Sequence, residues 1–264
     1  MVRKNHPPMK RAGGRYQVPA LARGLHILEF LASSPDGSTV SDVAAYLKLP
    51  KPSAFRMMVT LAEQGYLLRD GDGSIYRLSR KMLSLGYAAV DALGLVERSM
   101  DVLRKLRDVT HETALIAVLS GNEGIVLEQA PSTHAVKVLV EVGHRFPLHT
   151  AAPGKAILAF LPEGERDAIL DSLVYEKFTQ RTITSRNGML MELENVRKNG
   201  AAYDRGEELD DLRCVGAAVL DGRGYPLAAI WISGPSSRIN DSDLTRFSGI
   251  VTKHAKIISE RFSQ

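Results

Sequence analysis

The sequence predicts an α+β protein of two folded domains: an N-terminal winged helix-turn-helix, then linker helices leading to a larger domain whose largely antiparallel sheet is flanked by helices. Three observations carry this expectation. At 264 residues, with 44% hydrophobic and 24% charged, the chain exceeds the usual single-domain length and can bury a proper core. Its charge is uneven, because residues 1–80 hold twelve Lys/Arg against six Asp/Glu while the remainder holds 22 against 24. The hydrophobic spacing also changes near residue 112, from helical steps of three and four to strand-like alternation. A basic first third on a near-neutral remainder points to a polyanion-binding module joined to something else, the alternative being a basic disordered tail.

Composition excludes several classes. No stretch approaches the ~18 uncharged apolar residues that span a bilayer, and no apolar run follows the basic N-terminal residues, so a soluble cytoplasmic protein is expected. The single cysteine, Cys214, excludes an internal disulfide framework and zinc sites built on cysteine pairs.

Residues 1–17, rich in Pro, Gly and cations, are expected to be a basic flexible tail, and residues 18–80 the first domain. Leu21, Leu25, Leu28 and Leu31 recur at helical spacing and predict a first helix over 18–33 with these four on its buried face. Ser33-Ser34-Pro35-Asp36-Gly37 breaks it, and Val40, Val43, Ala44 and Leu47 mark a short second helix. Leu47-Lys48-Leu49-Pro50 forms the turn, and Pro52 suits the first position of a third helix over 52–64, with Ala54, Met57, Met58 and Leu61 inward. Two short helices across a tight turn read as helix-turn-helix. The solvent face of the third offers Lys51, Ser53, Phe55, Arg56 and Thr60, a mixture of phosphate-pairing, base-edge and methyl-contacting groups suited to the major groove; each alone is equally an ordinary surface residue. Two short strands around Asp70-Gly71-Asp72-Gly73 predict the wing, from which Arg69 and Arg77 can reach phosphates; Arg23 on the first helix is a further candidate.

Residues 81–111 are expected to be linker helices, one over Lys81–Ala92 and one from about 95 to 110. The stripe Leu93, Val96, Met100, Leu103, Leu106 and Val109 fits either a dimer-contacting linker or simply the core of the second domain. Over 112–264, Ala114–Ser120, Gly124–Ala130 and Val136–Glu141 read as strands, followed by helices near 154–161, 163–173 and 187–198. Strands Cys214–Leu220 and Pro226–Ser233 flank the turn Asp221-Gly222-Arg223-Gly224, and Asn240 or Asp241 caps a last helix to about Phe262. Such a sheet presents one face to helices and can leave a ligand pocket near the other.

Within this domain, Ala151-Ala152-Pro153-Gly154-Lys155 reads as a helix start with Pro153 in the first helical position and Ala152 as cap. Alanine supplies no side-chain acceptor, so the amides of Gly154 and Lys155 are open either to a ligand anion or to water.

Six blocks in order resemble the IclR family of transcriptional regulators: ALARGLHILE at 20–29, LPKPSAFR at 49–56, VGHRFPLHTAAPGKA at 142–156, KNGAAYDRGEE at 198–208, LRCVGAAV at 212–219 and ISGP at 232–235. The resemblance runs from about Val18 to Phe262. It implies a winged-helix domain, a linker helix, a GAF-like effector domain, and dimers or tetramers on partly palindromic operators. It further implies that an effector carboxylate is held by backbone amides just before the Gly-Lys pair, here Ala152 and Pro153, although Pro153 has no N–H. The family's other pocket positions fall on Asp204, Cys214, Trp231 and Ser233. Asp204 and Ser233 suit hydroxyl groups, and Cys214 is either a pocket-lining thiol or a buried apolar cysteine. Similar proteins that bind very small keto acids carry a small polar residue where Trp231 stands, so the tryptophan favours a sugar-derived or aromatic acid.

An enzyme is the strongest rival. Cys214 lies in an apolar strand pattern without a cysteine-protease signature, and the seven histidines form no H-x-x-x-H pair. His144 and His149 flank a proline-containing loop, and His111 and His134 read as solvated loop residues; neither a metal nor another cofactor is expected. The second rival is a DNA-binding protein that answers to no effector. The expected partners are therefore operator DNA, a small-molecule effector and further copies of the chain.

Overall fold

The computed structural model describes residues 18–34, 36–70, 74–82, 85 and 94–263. The expected basic tail, the tip of the wing turn and most of the Lys81–Ala92 helix lie outside the described residues. The chain divides into two compact units, residues 1–92 and 93–264. Among the described residues no helix is long and apolar enough to cross a membrane.

The first unit contains α1 (Pro19–Ala32), β1 (Ser38–Thr39), α2 (Val40–Tyr46), α3 (Lys51–Glu63), β2 (Leu67–Arg69) and β3 (Ile75–Leu78). Its core joins Ile27, Leu31, Val43, Ala44, Ala54, Met58, Leu67 and Tyr76. The stripe expected on α1 is thereby corrected: Leu31 is buried, but Leu21 and Leu25 are 64% and 52% exposed. Ile27, one residue out of the leucine register, is the other inward anchor, and the N-terminal half of α1 extends past this core. A capping box starts α2, the Thr39 hydroxyl accepting from the Asp42 amide while Asp42 Oδ2 accepts from the Thr39 amide. Lys48, at φ 52°, turns the chain between α2 and α3. Pro50 flanks α3 and Pro52 occupies its second position rather than its first. The wing has a strand that periodicity did not reveal, because two-residue β1 pairs antiparallel with β3 and gives the order β1-β3-β2.

The second unit contains α4 (Met100–Thr110), β4 (Thr113–Ser120), β5 (Glu123–Ala130), β6 (Arg145–Pro147), α5 (Ala152–Phe160), α6 (Glu163–Ser172), α7 (Arg186–Asn199), β7 (Ala202–Asp204), β8 (Leu212–Leu220), β9 (Pro226–Pro235) and α8 (Asp241–Glu260). The six strands form one sheet in the order β6-β5-β4-β9-β8-β7, with every pairing antiparallel. Helices cover both faces, not one. Val102, Leu103 and Leu106 of α4 and Leu244, Phe247, Val251 and Ile258 of α8 pack with Ile116, Val215, Ala217, Ile230 and Ile232 on one side. On the other, α5 and α7 pack on Leu115, Ala117, Val126, Ala229 and Trp231. Of the two meanings open to the connector stripe, Leu103 and Leu106 are therefore domain core, while Val109 is 54% exposed.

Val136–Glu141 is not a strand. Its backbone is held by side chains instead of a ladder: Thr113 Oγ1 donates to the Val138 carbonyl (2.7 Å), Gln129 Nε2 to that of Val140 (2.6 Å) and Arg238 to that of Val136 (3.0 Å). The sheet edge goes instead to β6, three residues that proline and arginine concealed from periodicity. Asn240 caps α8 through the amides of Ser242 and Asp243.

Candidate DNA interface and ligand site

Burying Ala54 and Met58 against α1 and α2 turns the opposite side of α3 outward. Lys51, Phe55, Arg56 and Thr60 are exposed there and Ser53 half-exposed, so all five expected contacts share one helix with a solvent face. The Thr60 hydroxyl donates back to the Arg56 carbonyl (2.9 Å). Arg23 is exposed on α1. The wing arginines are engaged locally. Arg77 pairs with Asp70 at 3.2 Å and donates to the Asp36 carbonyl at 3.1 Å, tying β3 to the loop before α2. The Arg69 guanidinium sits 5.5 Å from the centre of the Tyr76 ring.

In the second unit, strand register assembles the buried polar residues. Asp204 opposes Cys214, Cys214 opposes Ser233, and Ser233 opposes Thr113, so four polar side chains cross β7, β8, β9 and β4 in one row on one face. All four are buried, and the Cys214 thiol donates to Ser233 Oγ at 3.4 Å. Two residues further along each strand, the next row on that face is Ala202, Gly216, Trp231 and Leu115. Trp231 is 5% exposed and meets Phe146 edge-to-face, ring centres 5.9 Å apart.

Over these rows lies the start of α5. Its cap is Ala151 rather than Ala152, with no side-chain bond to it, and Pro153 stands in the second position. The Lys155 amide, expected to be open, donates to the Ala151 carbonyl at 3.1 Å. Ala152 and Gly154 are then the first-turn N–H groups, Pro153 having none. Two glycines allow the approach. A Cβ on Gly216 would lie 3.1 Å from the Ala152 carbonyl carbon, and one on Gly154 would lie 2.6 Å from the Leu148 oxygen. Gly154→Ala must push α5 off that backbone, so we expect a loss of about 1–3 kcal/mol, read as a lowered melting temperature. A melting temperature unchanged by this variant would contradict the close packing.

Several ionisable groups here are displaced by burial. It raises the carboxyls of Asp204, Glu207 and Glu208 and the Cys214 thiol, and lowers His149, whose Nε2 lies 3.0 Å from the Glu176 carbonyl. A protonated Cys214 is a poor nucleophile, which weighs against acyl transfer. Reading the residues alone missed Thr113, Gly216 and above all Lys155 with Glu207, a buried ion pair at 2.6 Å. Its only sequence signal was that both residues fall inside blocks of family resemblance.

Residues 87–260 match the family model described as bacterial transcriptional regulator IclR C-terminal, and residues 20–71 match the IclR helix-turn-helix domain. The chain belongs to the IclR family. The transcriptional repressor IclR of Escherichia coli (strain K12) is 31% identical over 259 residues, covering 97% of this chain and 94% of that protein. The HTH-type transcriptional regulator BhcR of Paracoccus denitrificans (strain Pd 1222) is 32% identical over 263 residues, covering 98% and 94%. The crystal structure of Thermotoga maritima IclR superposes with a TM-score of 0.70 at 28% identity, covering 93% of this chain and 99% of that one. As an IclR-family member the chain is a DNA-binding transcriptional regulator, with a small-molecule-binding domain following its helix-turn-helix. Its matched relatives are regulators, not enzymes.

Proposed function

We propose that this chain is a cytoplasmic, dimer-forming repressor of a catabolic operon, released or retained by a sugar-derived or aromatic acid bound beneath the start of α5. The observation that carries the ligand site is the buried row Asp204, Cys214, Ser233 under Ala152, Pro153 and Gly154. Buried polar groups persist where they have partners, and a row of them on an otherwise apolar face is a specificity feature of a binding site. In this reading the Ala152 and Gly154 amides take the carboxylate, Asp204 and Ser233 take hydroxyls, and Trp231 walls the site.

Residues 18–80 carry operator binding, with Lys51, Ser53, Phe55, Arg56, Thr60 and Arg23 facing DNA and Arg69 and Arg77 on the wing. Self-association has its own support at the start of α1, where its cap Val18 and exposed Leu21 and Leu25 follow one another at steps of three and four. Two heads at a half-site spacing read a palindromic operator. An acid that binds one arrangement of the dimer more tightly then shifts operator affinity by linkage.

The test is thermal-shift screening against sugar acids, aromatic acids and short keto acids, then operator titration with each hit. A hit that also changes DNA affinity supports the proposal; stabilisation without any change in DNA affinity removes the regulatory link. Trp231→Ser is expected to move preference toward glyoxylate, relative to benzoate, by about tenfold or more. Unchanged relative affinities would take Trp231 out of the site.

A further inference from the structure

The proposed carboxylate site is crowded with carboxylates of the protein itself. The wholly buried Lys155 ammonium, on α5, donates to Glu207 Oε1 at 2.6 Å and lies 3.5 Å from Glu192 Oε1 on α7. The amides of Gly206 and Glu207 donate to Asp204 Oδ1 at 2.9 and 2.8 Å, so the turn that carries Glu207 also holds Asp204 in the row. Glu208, half-buried, accepts from the Thr150 hydroxyl at 3.3 Å just before α5. The Glu207 carbonyl is fixed by the Thr182 hydroxyl at 2.6 Å. Glu207 Oε2 is buried and makes no hydrogen bond among the described residues.

Three carboxylates, Glu207, Glu192 and Asp204, thus gather about one ammonium, and a fourth, Glu208, acts on Asp204. The other charged or titratable groups acting on them are Arg213 on Asp204, His144 on Glu208 and Cys214 beside Asp204, with His149 near Lys155. An acid entering here adds a fifth carboxylate, and like charges at such range drive one of the group to take a proton. Glu207 is the member with a buried oxygen that has no partner among the described residues: Oε2 can carry a proton while Oε1 stays on Lys155.

We propose that Glu207 sets the charge of ligand the site accepts, taking up one proton when a monocarboxylate binds and thereby excluding dicarboxylates. This rests on the ligand site proposed above. Burial already holds the Glu207 carboxyl at about 7, against an ordinary 4.5, so the proton is available near neutrality. With Glu207 neutral, the Lys155 charge is left to oppose the ligand's carboxylate, whereas a second ligand carboxylate meets Asp204, Glu192 and Glu208. Proton uptake makes affinity fall as pH rises past about 7, by at most tenfold per pH unit for a single proton.

The test is calorimetric titration of the full chain at pH 6 and pH 8.5 with matched probes: benzoate and phthalate, gluconate and glucarate, glyoxylate and oxalate. We expect one monocarboxylate to bind about tenfold or more tightly at pH 6, its dicarboxylate partner to bind at least tenfold more weakly, and Glu207→Gln, an isosteric neutral side chain, to hold the tighter affinity at both pH values. Melting curves of the variant check that it is folded. Equal pH slopes in the wild type and Glu207→Gln, or equal binding of mono- and dicarboxylate, overturn this proposal alone. No heat from any probe at either pH overturns the ligand-site reading and this one with it.

Discussion

Replacing Lys155 by methionine is expected to cost about 3–5 kcal/mol of stability at pH 8, a fall of roughly 10 °C in melting temperature. The side chain is similar in length and fits the same volume, so the loss is electrostatic. It strips the buried Glu207 of its ion-pair partner, leaving a carboxylate with 6% side-chain exposure and no other ion pair among the described residues. The size of the loss should depend on pH, and its sign follows from burial. Because burial raises the Glu207 carboxyl from 4.5 to about 7, the neutral form is favoured in the folded chain. Its contribution is fully present below pH 4.5 and is lost as pH rises through 7. That shift corresponds to about 3 kcal/mol between those limits. Asp204 and Glu208, also raised by burial, act in the same direction.

In Lys155→Met the pair's attraction is gone, so Glu207 stays protonated to higher pH. The deficit against the wild type should therefore shrink toward pH 5. Combining Lys155→Met with Glu207→Met should recover most of it, since an apolar pair of matching volume needs no desolvation of charge. Chemical denaturation of the three variants at pH 5 and pH 8 decides the matter. A deficit of equal size at both pH values would show that the loss does not come from the ionisation of Glu207.

What could be read from the residues divides along physical lines. Helix α3 with its apolar periodicity, α8 with its capping residue, and the β8–β9 hairpin with its Asp221-Gly222-Arg223-Gly224 turn were legible because local spacing and local turn and cap chemistry specify them. The two-residue β1 and three-residue β6 and β7 were not, since strands that short have no period and exist only through their partners. Val136–Glu141 has the apolar content of a strand, yet its backbone is satisfied by Thr113, Gln129 and Arg238 side chains from positions up to 102 residues away. No local pattern encodes such contacts. Leu21 and Leu25 show the converse: a correct helix whose burial depends on how far the core extends.

The site divides in the same way. Asp204, Cys214 and Ser233 could be named singly from family resemblance, but their alignment in one row with Thr113 follows from strand register. The position of α5 turned on a single residue: with Ala151 as cap, the helix takes the Lys155 amide into its own hydrogen bonding and leaves Ala152 and Gly154 at its first turn. A buried lysine with a buried glutamate 52 residues later has no signature in composition, because charged residues read as surface until tertiary packing pairs them.

Arg56→Ala is expected to weaken operator binding by about 10- to 100-fold and to relax specificity at one base pair. The residue lies on the exposed side of α3 and has no ion pair or hydrogen bond of its guanidinium among the described residues, so a planar donor fork faces the groove. Lys51 stands at the first position of α3, where a cation meets phosphate rather than base edges. Lys51→Ala should then weaken all sequences alike and lower the salt slope of binding by about one. Arg77 offers an internal control. It is already committed to Asp70 and the Asp36 carbonyl, so Arg77→Ala should loosen the wing and lower the stability of the first unit along with its DNA affinity. The three variants are compared by titrating genomic fragments selected by the wild-type protein, and a scrambled duplex, at several salt concentrations. If Arg56→Ala weakens the selected and scrambled duplexes equally, with a reduced salt slope, then Arg56 contacts phosphate and another residue of α3 reads the bases.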